Sequence, residues 1–231
     1  MNTNIPIIRS GLYPELDVFG FAKNSSPALE EKVARAVALY PSLELAQREL
    51  AARGLSLDIK EIRRIAMQCG ESILTLRLLM LHKYLNGTLE STGQLSGQKV
   101  VISIDCGRTR IRENTTSVEG KHPKFDAEWR EPKLFIIYTV NENGEKTKDS
   151  EVWIDGTFQG PDRTAQLLAM WLYYLGVQDA LSVTFVADGA VWIWERFDWL
   201  VRELSLSFEK VFFVLDFWHC SRHLSLALGE L

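Results

Sequence analysis

Two aspartates of this chain each end an apolar stretch that has the length of a buried strand. Asp105 closes the segment VVISID, and Asp188 closes VTFVAD. Carboxylates at the carboxyl ends of neighbouring strands project into the crevice where open α/β sheets bind ligands. Two such groups can share a divalent cation, because Mg²⁺ and Mn²⁺ prefer hard oxygen ligands. The pattern therefore predicts a metal site held by these two aspartates.

A metal site at these two aspartates would have a chemical use, but the positions of the aspartates also have a simpler explanation. Two ions roughly 3.5–4 Å apart can activate a nucleophile and stabilise a leaving oxygen in phosphoryl transfer, which is the chemistry that cuts or joins DNA strands. A strand also ends in aspartate because aspartate favours turns, especially before glycine, as at Asp188. Asp155, which precedes Gly156, is a third strand-end aspartate, and an exit turn after an edge strand explains it. Both interpretations stay open.

A second polar group follows the last predicted strand, in the segment DFWH. Asp216 can cap the helix that begins there, and His219 would lie on its first turn near the same sheet edge. His219 and His223 are four apart and would share a helix face, as two zinc ligands could. The sequence offers them no third ligand of suitable spacing, so packing and hydrogen bonding are the simpler roles.

The elements that must position these groups alternate between strand and helix. We predict strands at 99–105, 133–140, 151–155, 181–187 and 210–215, with helices at 162–175, at 190–204 and from Phe217. Neighbouring strands among the first three should pair antiparallel. This order implies an α/β domain over 99–231 with a mixed sheet and flanking helices.

The first part of the chain has helical periodicity instead. Residues 1–25 lack it and are expected to form an arm, whereas 26–85 form an all-α domain and the Gly, Ser and Thr-rich segment 86–98 a linker. Three helices are predicted, two of them begun by Ser26 and Ser42 and the third by a capping-box-like Asp58.

The third of these helices carries a mixed basic and amide face. We predict that it buries isoleucines and exposes four polar side chains, Lys60, Arg63, Arg64 and Gln68. A helix-turn-helix over 42–70 would place this face in a major groove. A plain helical hairpin with a solvated charged face is the alternative, and the residues alone do not separate the two.

Charge is distributed unevenly along the chain, whose net charge is −4. Residues 1–97 carry 11 basic and 10 acidic side chains, whereas 98–231 carry 15 and 20. An acidic balance argues against nucleic-acid binding, since phosphate contacts need clustered lysine and arginine. A carboxylate metal site would nevertheless place part of the acidic excess in the second half.

Composition also bears on location and on the cysteines. No run of about 18 apolar residues could span a bilayer, and the polar start lacks the order of a signal peptide. We therefore expect a cytoplasmic protein without membrane contact. The three cysteines form no Cys-x-x-Cys pair, so neither a disulfide framework nor a cysteine zinc site is indicated.

Together these motifs resemble bacterial insertion-sequence DDE transposases with an RNase H-like fold, particularly the Kra-type group related to Mutator-like transposases. The similarity covers most of residues 40–231. In that family the first catalytic aspartate ends the first strand and the second ends the fourth, matching Asp105 in ISIDCGRTRIRE and Asp188 in VADGAVWIW. A Cys or Asp followed after two residues by His matches Asp216 and His219 in VLDFWHCSRHL.

The resemblance implies metal-dependent cleavage and transfer of DNA strands at insertion-sequence ends. Asp105 and Asp188 would hold Mg²⁺ or Mn²⁺, and His219 and Asp216 would support the catalytic site or the DNA ends. The implied partners are double-stranded DNA with terminal repeats and, on that DNA, further copies of the chain. A helix-turn-helix domain would precede the RNase H-like domain.

One feature of the family is expected to be missing. Its third catalytic carboxylate is a glutamate on a later helix, and Glu230 follows His219 too closely to be that residue. The sequence thus resembles a C-terminally truncated or interrupted transposase, with an incomplete RNase H-like domain. Two alternatives remain: a non-catalytic DNA-binding remnant of a transposase, and an RNase H-like nuclease acting on branched DNA or an RNA strand.

Overall fold

The structure, a computed structural model, describes residues 25–116, 124–146 and 150–229. The expected arm lies outside the described residues apart from Ser25, and so does Glu230. The chain divides into two compact units, Met1–Leu79 and Met80–Leu231. In the part of the chain that is described, no helix is both long and apolar enough to cross a bilayer.

The first unit is helical. Its elements are α1 (Pro27–Leu39), α2 (Leu43–Ala52) and the first part of α3 (Ile59–Leu85). Side-chain oxygens of Ser26, Ser42 and Asp58 each accept a backbone N–H three residues on, at 3.3, 3.3 and 2.7 Å, as the capping pattern predicts. The three helices share one small apolar core, formed by Val33, Ala36, Ala46, Leu50, Ile62 and Ile65.

The second unit is mixed α/β, as the order of elements predicts. Its strands are β1 (Lys99–Cys106), β2 (Thr109–Thr116), β3 (Lys124–Arg130), β4 (Lys133–Val140), β5 (Val152–Thr157), β6 (Ser182–Ala187) and β7 (Val211–Leu215). Its helices are the last part of α3, then α4 (Pro161–Leu175), α5 (Val191–Glu203) and α6 (Phe217–Leu228).

Five of these strands form a mixed sheet in the order β5-β4-β1-β6-β7. β4 pairs antiparallel with both β1 and β5, as predicted for neighbours along the chain. β6 lies parallel to β1, and β7 lies parallel to β6. The carboxyl ends of β1, β6 and β7 consequently meet at one edge of the sheet.

The two faces of this sheet differ in what covers them. Alternate residues of β1, namely Val100, Ile102 and Ile104, are buried and share a core with α4 and α5. The opposite face carries apolar side chains that remain exposed: Leu134, Ile154, Phe212 and Val214 are 44–68% accessible. We call it the open face.

Two segments differ from the sequence-based expectation. Strands β2 and β3 form a separate two-stranded ribbon between β1 and β4 that the sequence pattern did not predict. The segment predicted to be a linker packs on the second unit, where Leu89 and Leu95 are buried in the core. Backbone N–H groups of Thr92 and Leu95 donate to carbonyls of Tyr174 and Leu175 at 2.7 and 2.8 Å.

Candidate metal centre

Strand register places three acidic residues side by side at the carboxyl edge of the sheet. Ile104 pairs with Ala187, and Ala187 pairs with Leu215. The next residue of each strand is an aspartate: Asp105, Asp188 and Asp216. The backbone N–H of Asp216 donates to the Ala187 carbonyl at 2.8 Å, which extends the alignment past the end of β7.

Two of these aspartates and a histidine form a compact group. Asp105, Asp188 and His219 each offer one ligand atom, and these atoms all lie within 4.8 Å of one another. They come from the ends of β1 and β6 and the first turn of α6. Asp105 is exposed, whereas Asp188 and His219 are half-buried, so the group opens to solvent. We call these three residues the acidic cluster.

Local hydrogen bonds set the backbone around both carboxylates of the cluster. Oδ1 of Asp105 accepts the N–H of Cys106 at 2.7 Å, and Oδ1 of Asp188 accepts the N–H of Ala190 at 2.9 Å. The indole N–H of Trp194 donates to the Asp188 carbonyl at 2.9 Å. This last bond ties the Asp188 turn to α5, because Trp194 packs on the core of the second unit.

Asp216 holds the first turn of α6 rather than joining the cluster. Its Oδ1 accepts the N–H groups of Trp218 at 2.8 Å and His219 at 3.4 Å, as predicted for a cap. Burial raises the pKa of Asp216, but these N–H donors and the His219 ring outweigh it, so the net pKa is lowered. Oδ2 lies 3.4 Å from the shielded Nδ1 of His219, an ion-pair distance without hydrogen-bond geometry.

Asp155 lies on the covered face of the sheet. It pairs with Phe135, which pairs with Ile104, so it shares their side of the pleat, while Asp105 is one residue further on. Its Oδ2 accepts the indole N–H of Trp171 on α4 at 2.9 Å. The position therefore packs the helix onto β5.

Electrostatic effects of the cluster reach the neighbouring thiol. Burial raises the pKa of Cys106, and the negative charges of Asp188 and Asp105 raise it further, while Lys133 opposes them. Lys133 faces Cys106 in the β1/β4 register, and its Nζ lies 5.3 Å from the Trp192 ring centroid. The edge is thus a negatively charged patch beside one buried cation.

The predicted DNA-binding residues of α3 fall into two pairs. Lys60 and Arg63 are exposed, as expected. Arg64 is half-buried instead: it donates to both carboxylate oxygens of Glu61, at 2.6 and 2.9 Å, and also to the side chains of Gln68 and Ser25. Gln68 is half-buried too and donates to Glu30 at 3.3 Å. The expectation of four exposed side chains is wrong for Arg64 and Gln68.

Sequence reasoning assigned His219 a supporting role and did not group it with the two aspartates as a ligand. The sequence held a signal for this third ligand. Asp216 follows β7 as Asp188 follows β6, and His219 lies one helical turn beyond Asp216. The proposed zinc pairing with His223 concerns a side chain outside the described part of the chain.

Comparison with known proteins gives no relative. No protein-family model, no curated protein and no solved structure matches this chain.

Proposed function

We propose that this protein is related to the DDE transposases, binds DNA and holds a divalent metal ion at the acidic cluster, the position at which intact transposases of that kind carry out chemistry on DNA strands. The observation that carries the proposal is the convergence of Asp105, Asp188 and His219 within 4.8 Å at the carboxyl edge of the sheet. In open α/β sheets that edge is where ligands bind.

The sheet supports an RNase H-like assignment. The first, second and third strands of the five-stranded sheet, β1, β4 and β5, form an antiparallel meander, and the fourth and fifth, β6 and β7, add in parallel beyond β1. The resemblance implies catalytic aspartates at the ends of the first and fourth strands. Asp105 and Asp188 occupy those two positions.

The donor set fits Mg²⁺ or Mn²⁺ closely in size. Ligands of an octahedral ion at about 2.1 Å are about 3.0 Å apart when they are neighbours and about 4.2 Å apart when they are opposite, so donor atoms within 4.8 Å of one another can close on one ion by side-chain adjustment. Carboxylates suit both ions, and because Mg²⁺ takes oxygen ligands while nitrogen ligands are more usual for transition-metal ions, Mn²⁺ is the better match to a site that includes His219. Because Nδ1 of His219 lies 3.4 Å from Oδ2 of Asp216, His219 would offer Nε2 to the ion, with Asp216 as the carboxylate beside its other ring nitrogen.

Bound metal would lower the pKa of a water molecule and neutralise charge on a phosphoryl group. The residues of the chain would position the metal ion, the water molecule and the phosphoryl group. Asp105 and Asp188 supply the negative charge that attracts the ion, and Asp216 fixes the turn that carries His219. Because the cluster is open, it can accept a phosphodiester of a large polymer.

The ligand set supports single-ion binding without efficient cleavage by this chain. Among the described residues the cluster offers two carboxylates and one imidazole, which together with water can hold one divalent ion, whereas a two-ion displacement needs further anionic ligands. Loss of one main electrostatic element commonly lowers such rates by about 100-fold or more. DNA binding without cleavage is therefore the second candidate function, and it shares the same fold and the same metal site.

A titration with Mn²⁺ tests the metal site directly. We expect one ion per chain, and we expect Asp188→Asn to weaken binding by at least roughly 10- to 100-fold, the loss known for outer-shell partners alone. Asp155→Asn is the matched control, since it changes an aspartate on the covered face, inside β5 rather than at its end as predicted, and keeps an acceptor for Trp171. Equal affinity in the wild type and Asp188→Asn would refute the site.

A nicking assay on supercoiled DNA separates the two candidate functions. With Mg²⁺ or Mn²⁺ we expect background activity in the wild type and in Asp188→Asn, with folding of both verified by tryptophan fluorescence. Robust cleavage that disappears in Asp188→Asn would instead establish catalysis and place a further ligand elsewhere in the chain.

A further inference from the structure

The ribbon of β2 and β3 starts at the sheet edge that carries the acidic cluster. Its base is closed by the N–H of Gly107, which donates to the Pro132 carbonyl at 3.2 Å. Arg108 follows Asp105 by three residues, and three residues of extended chain span at most about 11 Å. The base of the ribbon therefore lies within that distance of the cluster.

An exposed indole dominates one face of this base. Trp129 on β3 is 61% accessible, which is unusual for so large an apolar side chain. It pairs with Arg110 of β2 across the ribbon, so the two side chains share a face. The guanidinium carbon of Arg108 lies 5.7 Å from the centroid of the Trp129 ring, in a cation–π contact. We call these three residues the ribbon face.

The two arginines of the ribbon face form no ion pair with a carboxylate of the described residues. Of the nearby carboxylates, Glu128 lies 3.9 Å from Arg130 and Glu131 lies 3.9 Å from Lys133. Arg108 and Arg110 are exposed. Two guanidinium groups beside an open indole match a phosphate backbone with an unstacked base.

We propose that the ribbon face binds single-stranded DNA and leads that strand to the acidic cluster. An aromatic side chain can stack on a base only where the base has left the duplex, and stacking tolerates any sequence. Arg108 and Arg110 contact the phosphates on either side of the stacked base. The inference rests on the proposed function in one respect, because the strand that it leads there would be bound at the metal ion of the acidic cluster.

Binding of a dye-labelled oligothymidine to the full chain, measured by fluorescence anisotropy, tests this inference. EDTA in the buffer makes the result independent of the metal site. We expect Trp129→Ala to weaken binding roughly 5- to 150-fold, the usual effect of losing one stacked base. Affinity for a blunt duplex should change less than twofold, because a duplex offers no free base.

Matched variants distinguish stacking from structural damage. Trp129→Phe keeps an aromatic ring and should restore most of the affinity, whereas Phe208→Ala removes a comparably exposed aromatic side chain elsewhere and should have no effect. Replacing both Arg108 and Arg110 by alanine should reduce the slope of log K against log [salt] by about 1.4, at roughly 0.7 per phosphate contact on a single strand. Arg202→Ala is the exposed arginine control.

Several outcomes would overturn the inference. Unchanged binding of Trp129→Ala, equal losses on single-stranded and duplex DNA, or failure of Trp129→Phe to restore affinity would each remove the stacking role. Tighter Trp129-dependent binding of oligouridine than of oligothymidine would assign the face to RNA. If Mn²⁺ fails to bind at the cluster and the Trp129 effect persists, the proposed metal site falls and the ribbon face stands.

Discussion

The acidic cluster and the basic face of α3 are both groups of polar side chains, but the fold holds them in different ways. Asp105 and Asp188 are 83 positions apart in sequence, and strand register alone brings them together. Arg64 and Gln68 are neighbours on one helix, and each is occupied by a partner inside its own unit. The positions of the two carboxylates in the acidic cluster thus depend on the whole sheet. Whether a side chain of α3 is available to bind DNA depends instead on its own hydrogen bonds within the helical unit.

That difference makes the cluster sensitive to distant core changes. Phe185 of β6 is fully buried and stacks with Phe197 and Phe213 at centroid distances of 4.5 and 5.7 Å. Phe185→Ala should lower the free energy of unfolding of the second unit by about 3–5 kcal/mol. Because β6 carries Asp188, we also expect Mn²⁺ affinity to fall, although no ligand is changed.

A core substitution in the helical unit is the matched control. All seven tryptophans lie in the second unit, so their fluorescence reports unfolding of that unit alone. Ile62→Ala should cost about 2–5 kcal/mol in the helical unit and leave both the tryptophan transition and Mn²⁺ affinity unchanged. Loss of Mn²⁺ binding in Ile62→Ala would show that the cluster does not depend on the sheet alone.

The same contrast explains how much the sequence could predict. Every strand of the five-stranded sheet was predicted within two residues at each end, because apolar runs such as VVISID and KLFIIYTV signal buried strands. The ribbon was missed because TRIRENTT is polar and lacks that signal. The covered position of Asp155 follows from strand register, and the hydrogen bond from Arg64 to Ser25 is a tertiary contact; periodicity encodes neither.

On α3 the exposed pair should carry most of the DNA binding. Lys60 and Arg63 are free to meet phosphates, so Lys60→Ala with Arg63→Ala should reduce the salt slope of duplex binding by about 1.8, at roughly 0.9 per contact. Gln68→Ala, which removes a half-buried amide, should leave the slope unchanged. A slope unaffected by the Lys60 and Arg63 substitutions, measured by anisotropy at several salt concentrations, would exclude this face from the interface.

Glu61 provides the test with the smallest expected effect in this comparison of the acidic cluster with α3. Its carboxylate holds the guanidinium of Arg64 and keeps it from binding a DNA phosphate. Hydrogen bonds from Arg64 lower the pKa of Glu61 below its usual 4.5. A lowered pKa means that the ion pair stabilises the fold above pH 4.5 and is lost only as the pH falls through the lower folded value. Glu61 therefore remains charged, and Arg64 remains engaged, throughout the neutral and mildly acidic range.

Glu61→Gln removes the ion pair that holds Arg64 but leaves its hydrogen bonds to Gln68 and Ser25, so it should loosen the guanidinium without removing it. If the ion pair with Glu61 is all that keeps Arg64 from a DNA phosphate, duplex affinity should rise a few-fold in this variant. The salt slope should also steepen by about 0.9, the contribution of one further phosphate contact. Lowering the pH from 7 to 5.5 should not reproduce this gain in the wild type, because Glu61 stays ionised there. Adding Arg64→Ala should cancel the gain in slope, whereas a gain that survives would show that only the lost negative charge of Glu61 matters.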